Sequence, residues 1–293
     1  MTNKTWLITG CSRGLGRALL EAVLAAGDKV VATARRPAEL ADLGKIYGDS
    51  MRAVQVDVTS PAEVKQAVAT AAEAFGRIDV VVNNAGYGFI GAFEEMTDDE
   101  FKGQIDTNFW GVVNVTRAVL PLLRKQGFGH IIQITSIGGR IGIPGASGYH
   151  AAKFAVEGFS ESIAQEIKPL GIKLTLVEPG GFRTDWAGSS MAFAKPIDAY
   201  RPTVGFIQDM LQKRNGHQPG DPRKAAQVML KLVAMPEPPL RLPLGNDAMD
   251  FLRQGYKTSA NELERWSEIT RSTDFDGLGE STSYQEILAG LKR

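Results

Sequence analysis

Short apolar runs and amphipathic stretches alternate along most of the chain. Runs rich in β-branched residues, which favour strands, lie at 5–9, 29–34, 51–56, 79–82, 129–135, 173–177 and, as an edge strand, 240–244. Stretches with apolar residues at helical spacing lie at 15–26, 62–75, 107–126 and 147–170. This alternation predicts an α/β fold: a Rossmann-type, doubly wound parallel sheet of about seven strands with helices on both faces.

The pattern becomes less regular after residue 184. Segment 185–215 carries scattered apolar side chains such as Trp186 and Met191. We expect it to close over a substrate as a lid, with a plain surface loop as the alternative. The whole chain, 1–293, is expected to form one domain whose cofactor-binding and catalytic core is 1–184.

The last part of the chain, 236–293, is expected to be an extension of this domain. Within 259–272, Leu263, Trp266 and Ile269 recur at a spacing of three. This spacing predicts an amphipathic helix with an apolar stripe. Such a stripe more often packs on its own domain than on a partner.

Composition limits the class of protein. The 293 residues include 33 basic and 33 acidic side chains, so no basic surface for nucleic acid is indicated. One cysteine suits a reducing compartment. The first residues do not resemble a signal peptide, and no apolar run approaches the roughly 20 residues of a membrane span, so we expect a cytoplasmic protein. The histidines lack ligand spacing, and no metal site is predicted. His150 is next to Tyr149 in the chain, but adjacent helical residues point in different directions, so we expect it to turn away from the cofactor.

A glycine-rich turn follows the first predicted strand. Gly10, Gly14 and Gly16 lie between that strand and the next helix, which is the context in which a dinucleotide binds. Gly10 permits a tight turn, Gly14 a close approach of pyrophosphate, and Gly16 close packing of helix on strand. The helix amino terminus then faces the phosphates. An ordinary strand-to-helix turn is the alternative.

The end of the second predicted strand indicates which cofactor binds. An acidic residue there binds the ribose 2′-hydroxyl of NAD, whereas an arginine accommodates the 2′-phosphate of NADP. The chain has Arg35 and Arg36 at this place, and Arg13 of the glycine turn is expected to close on the same phosphate. We therefore predict NADP(H) rather than NAD, with Arg35 as the first contact. The alternative is that Arg35 and Arg36 only solubilise a loop.

Tyr149 and Lys153 are four residues apart in a predicted helix. Residues at this spacing share one face, with Cβ atoms about 5–6 Å apart. The ammonium is expected to stabilise a tyrosinate and to lower a phenol pKa that is usually near ~10. A phenol tuned in this way gives or takes the proton of an alcohol or carbonyl. A surface pair without chemistry is the alternative.

Taken in order, these segments resemble the short-chain dehydrogenase/reductase family over about 5–184, in its single-domain branch. Five further motifs carry the resemblance: Asp57-Val58, Asn83-Asn84-Ala85-Gly86, Asn108, Ser136 and 179–184. Chain length and the segment 178–186 resemble the subgroup of hydroxysteroid and retinol dehydrogenases. Taken singly, Ser136 is also explained as a turn residue, Asn108 as a helix polar residue and Asp57 as a helix cap.

The resemblance implies four catalytic residues. Ser136 binds the substrate oxygen, and Tyr149 transfers the proton. Lys153 lowers the pKa of Tyr149 and holds the nicotinamide ribose, while the backbone carbonyl of Asn108 holds a water in the proton path. With the residues above, the implied cofactor site consists of Gly10, Ser12, Arg13, Gly14, Leu15, Gly16, Arg35, Asp57, Val58, Asn84, Ala85, Gly86, Tyr149, Lys153, Pro179, Gly180, Phe182 and Thr184.

The expected function is NADP(H)-dependent interconversion of a ketone or aldehyde with an alcohol on an apolar substrate. Apolar walls are expected from Tyr87, Phe89, Ile141, Ile143 and Pro144. Two arginines, Arg140 and Arg183, leave an acidic substrate open.

The resemblance also implies a homodimer through the helices at 107–126 and 147–170, with a homotetramer as the alternative. A different function remains open, that of a catalytically silent, NADP-sensing regulatory protein on the same fold. The catalytic residues argue against such a sensor. Epimerisation or dehydration is a third hypothesis, for which the residues after 184 are too few.

Overall fold

The structure, a computed structural model, describes residues 3–188, 190–275, 286–287 and 289–290. Its strands are β1 Thr5–Ile8, β2 Lys29–Ala34, β3 Met51–Gln55, β4 Val80–Asn83, β5 Gly88–Ile90, β6 Gly129–Ile134, β7 Ile172–Pro179, β8 Met191–Phe193 and β9 Arg241–Leu244. Its α-helices are α1 Gly14–Ala25, α2 Ala41–Tyr47, α3 Pro61–Phe75, α4 Asp98–Ile105, α5 Gly111–Gln126, α6 Ser147–Ile167, α7 Phe206–Arg214, α8 Pro222–Ala234, α9 Asn246–Arg265 and α10 Ser267–Arg271.

The main sheet of the described residues has seven strands, all parallel, in the order β3-β2-β1-β4-β6-β7-β9. The order reverses between β1 and β4, because β2 and β3 extend the sheet to one side and the later strands extend it to the other. In sheets of this kind ligands bind at the carboxyl ends of the strands beside that switch point. The predicted doubly wound α/β fold is confirmed.

Both faces of the sheet are buried because successive side chains of each strand point to opposite sides. Trp6 and Ile8 of β1 belong to one apolar core, together with side chains of α1 and α8. Leu7 belongs to the other core, together with side chains of α3, α5 and α6. The central strands β1 and β4 are therefore buried along their whole length, whereas the edge strand β3 alternates between buried and more exposed residues.

The strand predictions agree with the structure to within one residue at most ends, and β9 is the predicted edge strand, paired with β7. Two helix predictions need correction. The helix predicted at 107–126 begins with a π-helical turn, Asp106–Trp110, and α5 starts only at Gly111. The helix predicted at 147–170 ends at Ile167 and is followed by a 3₁₀ turn, Lys168–Leu170.

The segment predicted as a lid is more regular than its sequence pattern indicated. It contains β8, which pairs in parallel with β5 as a separate two-stranded sheet, and it ends in α7. The helix predicted at 259–272 is divided at Trp266 between α9 and α10, and its apolar side chains Leu263 and Ile269 are exposed.

The chain forms two compact units, Met1–Leu252 and Arg253–Arg293. The first unit contains both sheets and every residue of the predicted cofactor and catalytic sites. The second contains the end of α9 and all of α10. In the part of the chain that is described, no helix is long and apolar enough to cross a membrane.

Candidate active site

A cavity of about 750 Å³ lies at the carboxyl ends of the strands, beside the switch point between β1 and β4. With one exception, Gly16, all of the site residues predicted from the sequence line it. They are Gly10, Ser12, Arg13, Gly14, Leu15, Arg35, Asp57, Val58, Asn84, Ala85, Gly86, Asn108, Ser136, Tyr149, Lys153, Pro179, Gly180, Phe182 and Thr184.

The glycine turn forms one end of this cavity. Gly10 and Gly14 have positive φ angles of 70° and 60°, which favour glycine. Helix α1 begins at Gly14 without a side-chain cap, so the amide groups of its first turn remain available to an anion. Gly16 is buried, and a Cβ there would collide with the carbonyl oxygen of Gly10. These residues fit the pyrophosphate of a dinucleotide.

Asn84 and Thr9 hold the glycine turn against the loop that follows β4. The Asn84 side-chain amide donates to the carbonyl oxygens of Thr9 and Gly10 at 2.9 and 3.0 Å. The Thr9 hydroxyl accepts from the backbone amides of Asn84 and Ala85, both at 3.0 Å. Asn84 therefore acts on the shape of the turn, in addition to lining the cavity.

The charges at this end differ in whether they already have partners. Arg36 pairs with Glu39, and Arg17 pairs with Asp42 and Glu21. The guanidinium of Arg17 lowers the pKa of the Asp42 carboxyl. Within the described residues, Arg13 and Arg35 line the cavity without an ion pair or hydrogen bond from their side chains.

Asp57 lines the same end and also supports its own turn. One carboxylate oxygen accepts from the backbone amide of Thr59 at 2.9 Å and from its hydroxyl at 2.7 Å. The cap of α3 is Ser60, whose hydroxyl accepts from the Glu63 amide. Asp57 is thus not the helix cap that the sequence left as an alternative, because Ser60 occupies that position.

The catalytic candidates lie together at the other end. The Lys153 ammonium donates to the carbonyl oxygen of Ile134 at 2.9 Å and lies 5.7 Å from the centre of the Tyr149 ring. Ser136, which directly follows Thr135 beyond the end of β6, accepts from the backbone amide of Gly138 at 3.0 Å. Helix α6 and the end of β6 thereby bring Ser136, Tyr149 and Lys153 to one cavity.

Burial changes the acidities of these groups. It raises the pKa of Tyr149 to about 12, opposed by a hydrogen bond with Ser136. It lowers the pKa of Lys153 to about 8, opposed by the Glu157 carboxylate. The sequence led us to expect a Tyr149 pKa lowered by Lys153. The structure differs because desolvation of the phenol is the larger effect and the ammonium binds Ile134.

Asn108 lies in the π-helical turn that precedes α5. Its side-chain amide donates to the carbonyl oxygens of Tyr87 and Gln104, and its side-chain oxygen accepts from the Tyr87 amide. These bonds engage the Asn108 side-chain amide within the protein, so it is not available to donate a proton to the substrate. A π-turn interrupts the regular helical ladder and often marks functional sites.

Apolar side chains form the wall opposite the glycine turn. The Trp186 ring lies edge-on to the Tyr149 ring, with centroids 5.4 Å apart. Ile141 and Ile143 line the wall as predicted, and so does Tyr87. Phe89 and Pro144 were also predicted to line it and do not.

Both arginines that left an acidic substrate open have partners in the protein. Arg140 forms an ion pair at 3.0 Å with Glu178, whose side chain is 1% exposed. The guanidinium of Arg183 donates to the carbonyl oxygen of Gln218 at 3.2 and 3.3 Å. Neither is positioned as a free anion site.

Several cavity residues were not predicted from the sequence. Asp247 at the start of α9 accepts from the backbone amide of Gly181 at 2.7 Å, and Met210, Leu211 and Phe251 add apolar surface. They follow the recognisable motifs by many residues, and no local pattern marks them. His150 was expected to turn away from the cofactor, yet it lines the cavity beside Tyr149.

Comparison with known proteins identifies the family of this chain. Residues 4–194 match the family described as short chain dehydrogenase. Oxidoreductase BOA17 of Botryotinia fuckeliana (strain B05.10) is 48% identical over 268 residues, which cover 91% of this chain and 98% of that protein. A 3-ketodihydrosphingosine reductase of Bacteroides thetaiotaomicron is 41% identical over 248 residues, which cover 82% of this chain and 87% of that protein.

A crystal structure of a short-chain dehydrogenase from Streptomyces avermitilis superposes with a TM-score of 0.88 at 41% identity. The match covers 94% of this chain and 100% of that one. Motifs, fold and relatives therefore agree, and this chain belongs to the short-chain dehydrogenase family of oxidoreductases.

Proposed function

We propose that this protein is an NADP(H)-dependent oxidoreductase that interconverts a carbonyl and an alcohol on an apolar substrate. The observation that carries the proposal is the single cavity shared by the glycine turn and by Ser136, Tyr149 and Lys153. A nicotinamide cofactor, when bound, supplies or takes up the hydride. The protein supplies the position of the reacting groups and the proton.

Ser136 and Tyr149 act on the substrate oxygen. The Ser136 hydroxyl donates a hydrogen bond to that oxygen and holds it beside the phenol. A phenol with a pKa near 12 keeps its proton at neutral pH, so Tyr149 is ready to donate it in the direction of reduction. In the direction of oxidation, the tyrosinate takes the proton of the alcohol.

Lys153 assists by its charge and by its hydrogen bonds. Its ammonium is anchored to the Ile134 carbonyl and stabilises the tyrosinate that remains after proton transfer. We propose that a water on the backbone carbonyl of Asn108 returns the proton from the solvent through Lys153, as the family resemblance implies. Asn108 lies in the π-helical turn Asp106–Trp110, directly before α5.

The preference for NADP(H) is supported by two arginines that have no ion pair with any described residue. Arg13 and Arg35 line the end of the cavity near the glycine turn, whereas the neighbouring Arg36 and Arg17 are paired with acids. A guanidinium without an intramolecular partner suits a phosphate dianion. An acid at the end of β2, which NAD would require, is not present.

An apolar substrate is supported by the wall of the cavity. Trp186, Ile143 and Leu211 surround the space next to Tyr149, and Arg140 and Arg183 are engaged elsewhere. The similarity to a protein named 3-ketodihydrosphingosine reductase favours a ketone with a long apolar chain.

The test is a paired fluorescence titration with NADPH and NADH, followed by oxidation of bound NADPH with aldehydes, cyclic ketones and long-chain ketones. We expect tighter binding of NADPH and turnover of at least one apolar ketone. Tight binding without turnover of any carbonyl would contradict the proposal and favour a regulatory sensor.

We also propose a homodimer formed through α5 and α6, with a homotetramer as the alternative. Phe154 on α6 is 45% exposed, and Trp110, just before α5, is 47% exposed. Large aromatic side chains at the surface are typical of protein interfaces.

A further inference from the structure

His150 binds two separate points of the loop that separates β6 from α6. Its Nδ1 lies 2.7 Å from the carbonyl oxygen of Gly138, and its Nε2 lies 3.1 Å from the backbone nitrogen of Ile143. One imidazole therefore bridges the six residues 138–143 of this loop. Tyr149, the proposed proton donor, is its neighbour in the chain.

The two partners determine the protonation state of the ring. A carbonyl oxygen only accepts a hydrogen bond, so Nδ1 carries the proton that goes to Gly138. A backbone amide only donates, so Nε2 is unprotonated and accepts from Ile143. The ring is a neutral imidazole of one defined tautomer. Burial acts in the same direction, since it lowers the pKa of His150.

The loop held by His150 carries two parts of the active site. At its start, the Ser136 hydroxyl accepts from the amide of Gly138, whose carbonyl oxygen His150 binds. At its end, Ile141 and Ile143 form part of the apolar wall. The imidazole thus joins the helix that carries Tyr149 to both the Ser136 turn and the substrate wall.

We propose that His150 is a positioning residue of the active site, whose two ring nitrogens have separate effects. The bond from Nδ1 to Gly138 fixes Ser136 relative to Tyr149 and therefore acts on kcat. The bond from Ile143 to Nε2 fixes the apolar wall and therefore acts on KM. This assignment rests on the proposed carbonyl–alcohol activity, whereas the loop contacts themselves do not.

Three substitutions separate the two bonds. In His150→Asn the amide nitrogen occupies the region of Nδ1 and retains the donor to Gly138. In His150→Gln the side-chain oxygen reaches the region of Nε2 and retains the acceptor for Ile143. His150→Phe retains the ring size and neither bond.

We expect His150→Phe to lower kcat and raise KM for an apolar ketone, each by about 5- to 10-fold, since a hydrogen bond contributes about 1 kcal/mol. The Asn variant is expected to recover kcat but not KM, and the Gln variant to recover KM but not kcat. A role in stability alone would move neither parameter selectively. Equal kcat and equal KM in the Asn and Gln variants would overturn the assignment.

A second measurement does not depend on substrate. Hydrogen exchange of the Ile143 amide in the cofactor-free protein is expected to be about 5- to 10-fold faster in His150→Phe and His150→Asn than in the wild type, and close to the wild-type rate in His150→Gln. An unchanged exchange rate in the Asn variant would overturn the proposed hydrogen bond from Ile143 to His150, even if the Phe variant does not fold. If the wild type turns over no carbonyl but the exchange pattern is as expected, the proposed function fails, whereas the loop contacts of His150 are confirmed.

Discussion

Tyr149 and Lys153 are neighbours on one face of α6, and burial shifts their pKa values in opposite directions. The pKa of the Tyr149 phenol is raised to about 12, and the pKa of the Lys153 ammonium is lowered to about 8. At neutral pH, the phenol therefore keeps its proton and the ammonium keeps its charge. The pair holds a proton to give and a positive charge to stabilise what remains.

Replacement of Tyr149 by Phe removes only the hydroxyl. We expect turnover to fall by about 10²- to 10⁴-fold, which is the usual contribution of a positioned acid or base. The dissociation constant of NADPH is expected to change by less than about threefold, because the ring remains. Fluorescence titration and steady-state kinetics measure the two quantities.

The control for that variant is Tyr47→Phe, which removes a hydroxyl from α2, away from the cavity. It is expected to keep wild-type turnover. Residual activity of Tyr149→Phe close to that of the control would show that another group transfers the proton.

Arg35 and Arg36 differ in their partners although they are adjacent in the chain. Replacing Arg35 by Ala is expected to weaken the binding of NADPH by about 10- to 100-fold and to leave the affinity for NADH almost unchanged. The reason is that a hydrogen bond to a charged group contributes about 1.5–3 kcal/mol. Arg36→Ala is the matched control and is expected to leave both affinities unchanged, because Arg36 is paired with Glu39. Equal losses of NADPH and NADH affinity in Arg35→Ala would remove Arg35 from the phosphate site.

Residues in or near recognisable motifs could be predicted from the sequence. Most of the motif residues predicted for the site do line the cavity. Gly10, Asn108 and Ser136 belong to local patterns that repeat across proteins, whereas Asp247 and Met210 reach the cavity only through the path of the later helices. His150 was misjudged because its orientation depends on the loop that returns over α6, and helical geometry alone does not describe that loop.

The elements differ in how strongly the sequence marks them. The seven strands of the main sheet were predicted, because most of them are runs of buried and mainly apolar residues. Strands β5 and β8 have three residues each, which is too short for a two-residue period to be recognised. Helix α4 was missed although Thr97 and Glu100 form a capping box, a signal that the sequence does contain.

The β5–β8 pair places Trp186 over the active site. A Cβ added at Gly88 would lie 2.9 Å from the Trp186 ring, so β5 approaches the indole closely. Gly88→Ala is expected to displace Trp186, to change its fluorescence, and to raise KM for an apolar ketone several-fold, since poor packing costs about 1–3 kcal/mol. NADPH affinity is expected to stay constant, because Gly88 does not line the cavity.

Gly158→Ala is the control for this variant, because a Cβ at Gly158 on α6 meets open space. It is expected to keep the wild-type KM and fluorescence. If Gly88→Ala has the same KM as this control, segment 185–215 does not cover the substrate as the lid that the sequence led us to expect.

The contact between β6 and β7 makes stability depend on pH. His130 of β6 is buried, binds the Thr175 hydroxyl at 3.0 Å, and has a pKa lowered by burial to about 4. The unfolded chain, with a pKa near ~6.5, takes up a proton that the folded protein does not. Stability is therefore full above about pH 6.5 and falls towards pH 4, by about 3 kcal/mol for this group.

Urea unfolding at several pH values measures this dependence. Replacing His130 by Gln is expected to flatten the profile between about pH 6.5 and pH 4. His217→Gln, at an exposed position, is expected to leave the profile unchanged. A profile that stays equally steep without His130 would assign the acid sensitivity to other groups.

At the scale of the whole molecule, the apolar cores are buried within the first unit, whereas some large apolar side chains remain exposed at its surface. Both faces of the sheet are covered by helices of the first unit, so the described fold of that unit needs no partner to bury its cores. Phe154 and Trp110 nevertheless remain exposed near the two helices through which we propose dimerisation. In an interface formed by the same surface of two copies, each side chain occurs twice, so one substitution changes the interface at two places.

Replacing Phe154 by Glu is therefore expected to separate the dimer. Each copy loses an apolar side chain worth about 1.5–3 kcal/mol and gains a charge that must be buried at the interface. Light scattering after size-exclusion chromatography is expected to show a dimer for the wild type and a monomer for Phe154→Glu. Ile46→Glu, at an exposed apolar position on α2, is the matched control and is expected to remain a dimer. A monomeric wild type, or a Phe154→Glu protein that stays dimeric, would place the interface elsewhere or remove it.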